Sequence, residues 1–155
     1  MPGRWQHTLI FWMASILLGC GALTPVRRPM QLRLEADQYG LGATSMQQLC
    51  DPGLCYVGQQ VYLDESDVRG AMLQEGEAQG SLVLEFTEDG ARKLKLVTRS
   101  NNGRRLAVVQ DGKVLALFMI REEIAGGKAE LSGKPTDLRR IFESLTEPAR
   151  QPPAP

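Results

Sequence analysis

Histidine is almost missing from this chain: its 155 residues hold one, His7, with three cysteines and two tryptophans. No apolar run approaches the ~20 residues that a membrane-spanning helix needs, and no basic cluster is longer than two residues. Acidic and basic side chains balance at 18 each, which argues against a nucleic-acid or acidic-membrane partner. With 43% hydrophobic and 23% charged residues, wholesale disorder is excluded as well. The length suits one domain.

What is present begins with an address. Met1 to His7 carries Arg4 and no acid, and Thr8 to Gly19 is an apolar run of twelve residues, the size of a signal-peptide h-region. The run ends in Leu17-Leu18-Gly19-Cys20, which resembles the bacterial lipobox, where a small residue precedes a cysteine that is acylated and becomes the new amino terminus. Residues 1–19 are therefore expected to be a lipoprotein signal peptide, with Cys20 carrying palmitate and related acyl chains. The bland alternative is a secretory peptide in which Cys20 is incidental. Several chains on one cysteine anchor durably where a single chain is marginal. Gly21 stands where some bacteria place an inner-membrane retention Asp, which leans the destination towards the outer membrane. Residues 20–29 read as a tether, reaching about 30 Å when extended.

Cleavage would remove His7 and Arg4, leaving 17 basic against 18 acidic side chains. A mature chain without histidine has no Ser–His–Asp or Cys–His centre and no imidazole-ligated metal. Its remaining cysteines, Cys50 and Cys55, flank Asp51-Pro52-Gly53-Leu54, and in an exported chain this spacing points to a disulfide. So short a loop would contribute about 2 kcal/mol, a local staple. Free thiols or a redox or metal pair are the alternatives.

Alternation over Met30–Ala36 predicts a strand, residues 39–58 read as a loop, and Gln60–Leu63 as a second short strand. Val68–Gln74 fits strand or helix. Ser81–Phe86 puts Leu82, Leu84 and Phe86 on one face. Thr87 then offers an N-cap, with Glu88 and Asp89 behind it, for a helix ending near Ser100 before Asn101-Asn102-Gly103. Arg105–Val109 and Lys113–Ile120 flank Asp111-Gly112, a type I′ hairpin signal. Ala129–Ser132 is a short strand, and Pro135-Thr136-Asp137 opens a last helix. The expected fold is α+β, a mostly antiparallel sheet with two helices packed on one face, over residues 30–147. Residues 148–155 form a Pro-rich tail.

Little in this pattern suggests catalysis. Gly127–Lys134 (GKAELSGK) is one residue too long for a phosphate loop and has Pro135 where a hydroxyl is needed. Asp64, Glu65 and Asp67 lack calcium-loop spacing and read as a turn or helix cap. Ser132 with Lys134 has no desolvation to activate a nucleophile. No catalytic, cofactor-binding or metal-binding residue is expected, and neither nucleotide nor nucleic acid as partner. One segment stands out: Val114 to Ile120 is apolar on both faces. Either that strand is covered on both sides by the amino-terminal strand and the cysteine loop, or Leu115, Leu117 and Met119 form an exposed polypeptide-binding face.

From Val61 to about Leu145 the chain resembles the head subdomain of the first periplasmic domain of SecD/SecDF, an accessory component of the bacterial Sec translocase. The resemblance is carried by Leu63–Ala71 (LDESDVRGA), Leu82–Leu94 (LVLEFTEDGARKL), Gly103–Val114 (GRRLAVVQDGKV) and Ile124–Gly133 (IAGGKAELSG). Two departures stand out. The proline usual after the hairpin is replaced by Ala116-Leu117-Phe118-Met119-Ile120, and the chain is expected to lack the transmembrane bundle and its acidic residues. The resemblance implies a periplasmic module that contacts exported polypeptide or an envelope protein; with the lipobox-like Cys20 it is expected to be lipid-anchored, and with no catalytic motif it is not expected to be an enzyme. The alternative it implies is a structural or assembly lipoprotein docking onto one envelope complex, such as the Sec machinery itself.

Overall fold

The computed structural model describes residues 21–36, 42–49 and 53–148. Residues 1–20, with the expected signal peptide and Cys20, and Cys50 and residues 149–155 lie outside them. Strands are β1 (Gln31–Leu34), β2 (Ala43–Gln48), β3 (Leu54–Gly58), β4 (Leu63–Asp64), β5 (Val68–Gln74), β6 (Gly80–Phe86), β7 (Arg105–Gln110), β8 (Lys113–Met119) and β9 (Lys128–Gly133). Helices are α1 (Glu88–Ser100) and α2 (Pro135–Thr146), and a single 3-10 turn covers Glu65–Asp67.

The α+β class is as expected, but the strands form two sheets. One has six strands in the order β3-β2-β8-β7-β1-β4, and the other is β5-β6-β9. Every pairing is antiparallel except β2 with β8, which meet in parallel at Gln47–Lys113 and Gln48–Val114. Both helices pack on the smaller sheet, α2 across β5, β6 and β9 and α1 against β6 and the 3-10 turn. Leu82, Leu84 and Phe86 of that sheet, Leu94 and Val97 of α1, and Leu138, Ile141 and Leu145 of α2 share one core with Leu32, Leu34, Leu106 and Val108 of the larger sheet. Full burial of such side chains contributes about 1.5–3 kcal/mol each.

Two segments correct the sequence reading. Residues 39–58, expected as a loop, hold the β2–β3 hairpin. Its first strand, Ala-Thr-Ser-Met-Gln-Gln, is too polar to show a buried face, so alternation could not reveal it. The larger sheet then rolls on itself. Glu35 at the end of β1 bridges Val57 of β3, and the Ala36 amide donates to the Tyr56 carbonyl at 2.9 Å. Inside the roll, Cys55, Val57, Ala107, Val109 and Val114 make a second, small core.

The other correction is the tether. Residues 21–29 lie on the domain, where Thr24 exchanges two backbone hydrogen bonds with Ala71 (2.8 and 2.7 Å) and the Arg27 amide donates to the Leu145 carbonyl at 2.9 Å. This strap occupies the outer edge of β5, an edge that would otherwise present unpaired amides. Gly70 is what lets it approach. A β-carbon there would come 2.6 Å from the Thr24 carbonyl oxygen.

The hairpin and α1 form where expected. Asp111 (φ 49°) and Gly112 (φ 72°) both take the left-handed conformation of a type I′ turn. Thr87 caps α1, its hydroxyl accepting from the Gly90 amide at 3.1 Å. The acidic trio divides its tasks. Asp64 caps the 3-10 turn by accepting from the Ser66 amide and hydroxyl (2.9 and 2.6 Å), which lowers its pKa. Asp67 is buried, at 3% exposure; its carboxylate accepts from Lys93 at 2.8 Å and from the Asp64 amide at 3.2 Å. That carboxylate raises the pKa of Lys93. The Asp67 carbonyl accepts from the Thr87 amide at 2.8 Å and seats the start of α1.

That seat makes a test. A β-carbon at Gly90 would lie 2.2 Å from the Asp67 carbonyl oxygen. By helix propensity Gly90→Ala should stabilise α1 by about 1 kcal/mol. The overlap should reverse the sign and destabilise the domain by about 2 kcal/mol in chemical denaturation.

Candidate functional site

The apolar run of β8 does not alternate evenly, because the β7–β8 ladder slips between Val108 and Val109: Val109 pairs Val114, and Val108 pairs Ala116. Leu115 is the extra residue. The bulge turns Leu115 and Ala116 both towards the main core, whereas Val114 and Leu117 face the small core inside the roll. The three candidate residues therefore differ in setting. Leu115 is 2% exposed, Leu117 is half-buried against the small core, and Met119 is 53% exposed. The β2–β3 hairpin thus covers much of the face left open by the sequence reading.

The three meet again in one place. A groove of about 710 Å³ runs between β8 and β9, and Leu115, Leu117 and Met119 all line it. Its β9 side is Glu130 to Gly133, and Leu138 and Ile141 of α2 and Ile124 of the connecting loop complete the apolar part. Arg121, Glu122, Glu130, Lys134 and Asp137 supply charges of both signs around it.

The walls matter more than the volume. β2 pairs with β8 only at Lys113 and Val114, and among the described residues no strand pairs Ala116 to Met119 on that side. Among the described residues β9 pairs with β6 alone. Two strand edges with backbone donors and acceptors therefore flank an apolar strip. An extended segment can add to such an edge through main-chain hydrogen bonds that do not depend on its sequence. Met119, flexible and polarisable, can fit varied side chains.

The other expected site is the pairing of Cys50 with Cys55. Cys55 carries a free, buried thiol, its Sγ 3.5 Å from the Met46 carbonyl oxygen, and Cys50 lies outside the described residues. The Cys55 side chain packs in the small core with Val57. Burial pushes its pKa up, the Glu35 carboxylate adds to this, and Arg105 opposes it. Among the described residues no three His, Cys, Asp or Glu side chains gather as metal ligands would.

Sequence reading reached β8 because its doubly apolar run was anomalous. It missed Ile124, Leu131, Leu138 and Ile141, whose helical or strand periodicity looked like ordinary core. Nothing local in the sequence marks the place where two sheets part.

The fold is thus an α+β head of two sheets with a groove between strand edges. The chain belongs to the SecDF P1 head subdomain family, whose pattern it matches over residues 43–138. The protein translocase subunit SecDF of Thermus thermophilus is 46% identical over 70 residues, 45% of this chain and 9% of its own length. The protein translocase subunit SecD of Treponema pallidum is 35% identical over 98 residues, 63% of this chain and 16% of its own length. In fold, the chain is similar to SecDF in its super-membrane-facing form (TM-score 0.56, 23% identity, 80% of this chain and 20% of that one). It is also similar to a structure of the membrane component SecDF that enhances protein export (TM-score 0.54, 20% identity, 84% and 70%). The chain thus spans only a small part of the curated relatives it matches. No helix among the described residues is long and apolar enough to cross a membrane.

The burial differences along β8 can be checked directly. Leu115→Ser should cost about 2 kcal/mol or more, as a buried leucine does. Met119→Ser should change stability by less than about 0.5 kcal/mol. Equal losses at both positions in urea denaturation would place Met119 in the core.

Proposed function

We propose that this chain is a lipid-anchored periplasmic binding module that holds exported polypeptide in the groove between β8 and β9, in the service of the Sec translocase. The observation that carries the reading is the pair of unpaired strand edges facing an apolar strip, a surface suited to extended chain of varied sequence. Kinship to translocase subunits supports the setting. The signal-like first nineteen residues and Leu17-Leu18-Gly19-Cys20 support the anchor, at the outer membrane by the character of Gly21. The role is one of binding, without catalysis.

The second reading, an assembly lipoprotein docking onto one envelope complex such as the Sec machinery itself, is supported by the same kinship to translocase subunits. One experiment separates the two. A photocrosslinker at Met119 or Ser132, compared in intact cells with one at the exposed Leu96 on α1, should yield many exported polypeptides at the first two positions and few at the third. A single stoichiometric product would instead establish assembly.

The anchor has its own test. Cys20→Ala should leave the precursor uncleaved and unlabelled by palmitate, and wild-type protein should band with outer-membrane vesicles in a density gradient. Normal cleavage and membrane recovery of Cys20→Ala would remove the lipoprotein reading.

A further inference from the structure

Nine residues of free tether would let the domain swing about 30 Å from the lipid, but no such freedom is left. The strap runs antiparallel to β5, with Thr24 opposite Ala71. Further back, Gly21 lies against Met72 and Leu73, so close that a β-carbon would fall 2.8 Å from Met72 Cγ and 3.0 Å from the Leu73 carbonyl oxygen. At the other end Arg27 is held by the last turn of α2. Cys20 is the next residue in the chain, one peptide step of about 3.8 Å from Gly21.

We propose that acylation of Cys20 seats the domain directly on the bilayer in one orientation, the turn between β5 and β6 (75–79) and the turn between β9 and α2 facing the headgroups. The proposal rests on the lipoprotein reading. From Thr24 back to Gly21 the strap heads towards the Gln74 end of β5, so the acyl chains leave at that end.

The register then places the groove. Leu73 pairs Leu82, and Leu82 pairs Leu131. Gly21 and the groove-lining Leu131 therefore stand at one level, three strand spacings apart, or about 14 Å. Ser132 and Gly133 lie beyond that level, nearer the bilayer. The groove thus opens at the membrane surface, within reach of a polypeptide segment that lies close to the bilayer.

Charge does not supply this orientation. Glu75 pairs with Arg139 at 2.6 Å, and Glu77 and Asp137 offset Lys134 at the same end. No basic excess is present to draw anionic headgroups, so the anchor alone sets the pose.

Both tryptophans, Trp5 and Trp12, lie in the signal peptide, so the processed lipoprotein would hold none and single tryptophans can report position. Ala78 is exposed in the β5–β6 turn, and Gly126 is exposed with open space around it at the opposite end. The seven-residue β6 separates those ends by about 20 Å. Acylated Ala78→Trp and Gly126→Trp proteins would be reconstituted into vesicles containing a dansyl-headgroup lipid. Energy transfer should be several-fold stronger from position 78, equally in zwitterionic and anionic vesicles. Ten Gly/Ser residues inserted between Cys20 and Gly21, spanning about 17 Å, should largely erase the difference. Equal transfer from both positions in acylated protein overturns the orientation alone. A difference that appears only with anionic lipid overturns the anchor as its cause. Absence of palmitate on Cys20 overturns this proposal together with the lipoprotein reading.

Discussion

The course of the chain between β8 and β9 governs the shape of the domain. Consecutive strands would ordinarily pair, and these two share a core without sharing a ladder. The connection is pinned at successive points. Ile120 exchanges hydrogen bonds with Gly103 and Arg104, the Ile124 amide donates to the buried Thr98 hydroxyl on α1 at 2.9 Å, and the Gly127 carbonyl accepts from Phe86. Each pin draws the chain away from β8 and towards α1 and β6. By Lys128 it can pair only with β6, and the space it has left behind is the groove.

Once β8 and β9 are apart, what fills the gap is decided by α2. Leu138 and Ile141 face the core from the helix and also line the groove, so the floor of the site is the edge of the core itself. This explains why the groove is apolar without being a defect. Its lining is held by packing that the fold needs in any case, and only Met119 and the rim charges stand free of that duty.

Legibility in the sequence followed the range of the interactions. Thr87, the Asp111-Gly112 pair and Pro135 act within a few residues of themselves, and the elements they begin or join were readable from them. The β2–β3 hairpin was not, because its polar first strand is held by backbone pairing, to β3 along its length and to β8 at Gln47 and Gln48 some 65 residues away, rather than by a buried face of its own. The β8 bulge was invisible for another reason. Period-two reading assumes unbroken register, and the slip at Val108–Val109 puts Leu115 on the opposite face from Leu117 and Met119. The groove combines both kinds of non-local information, so its β8 wall was visible as an anomaly and its β9 and α2 walls were not.

The smaller sheet has two outer edges, and the chain treats them differently. Along β5 the strap closes the edge with paired backbone and needs Gly70 to do so, which is the usual way of denying an edge to foreign strands. Along β9 nothing comparable is spent. Glu130 and Ser132 remain exposed on a strand paired on one side only. An edge guarded on one side and left open on the other, in a sheet of three strands, directs any strand addition to the β9 side. The segment that guards β5 is also the one that begins next to Cys20. The same nine residues that close the β5 edge thus leave β9 as the open edge of this sheet among the described residues.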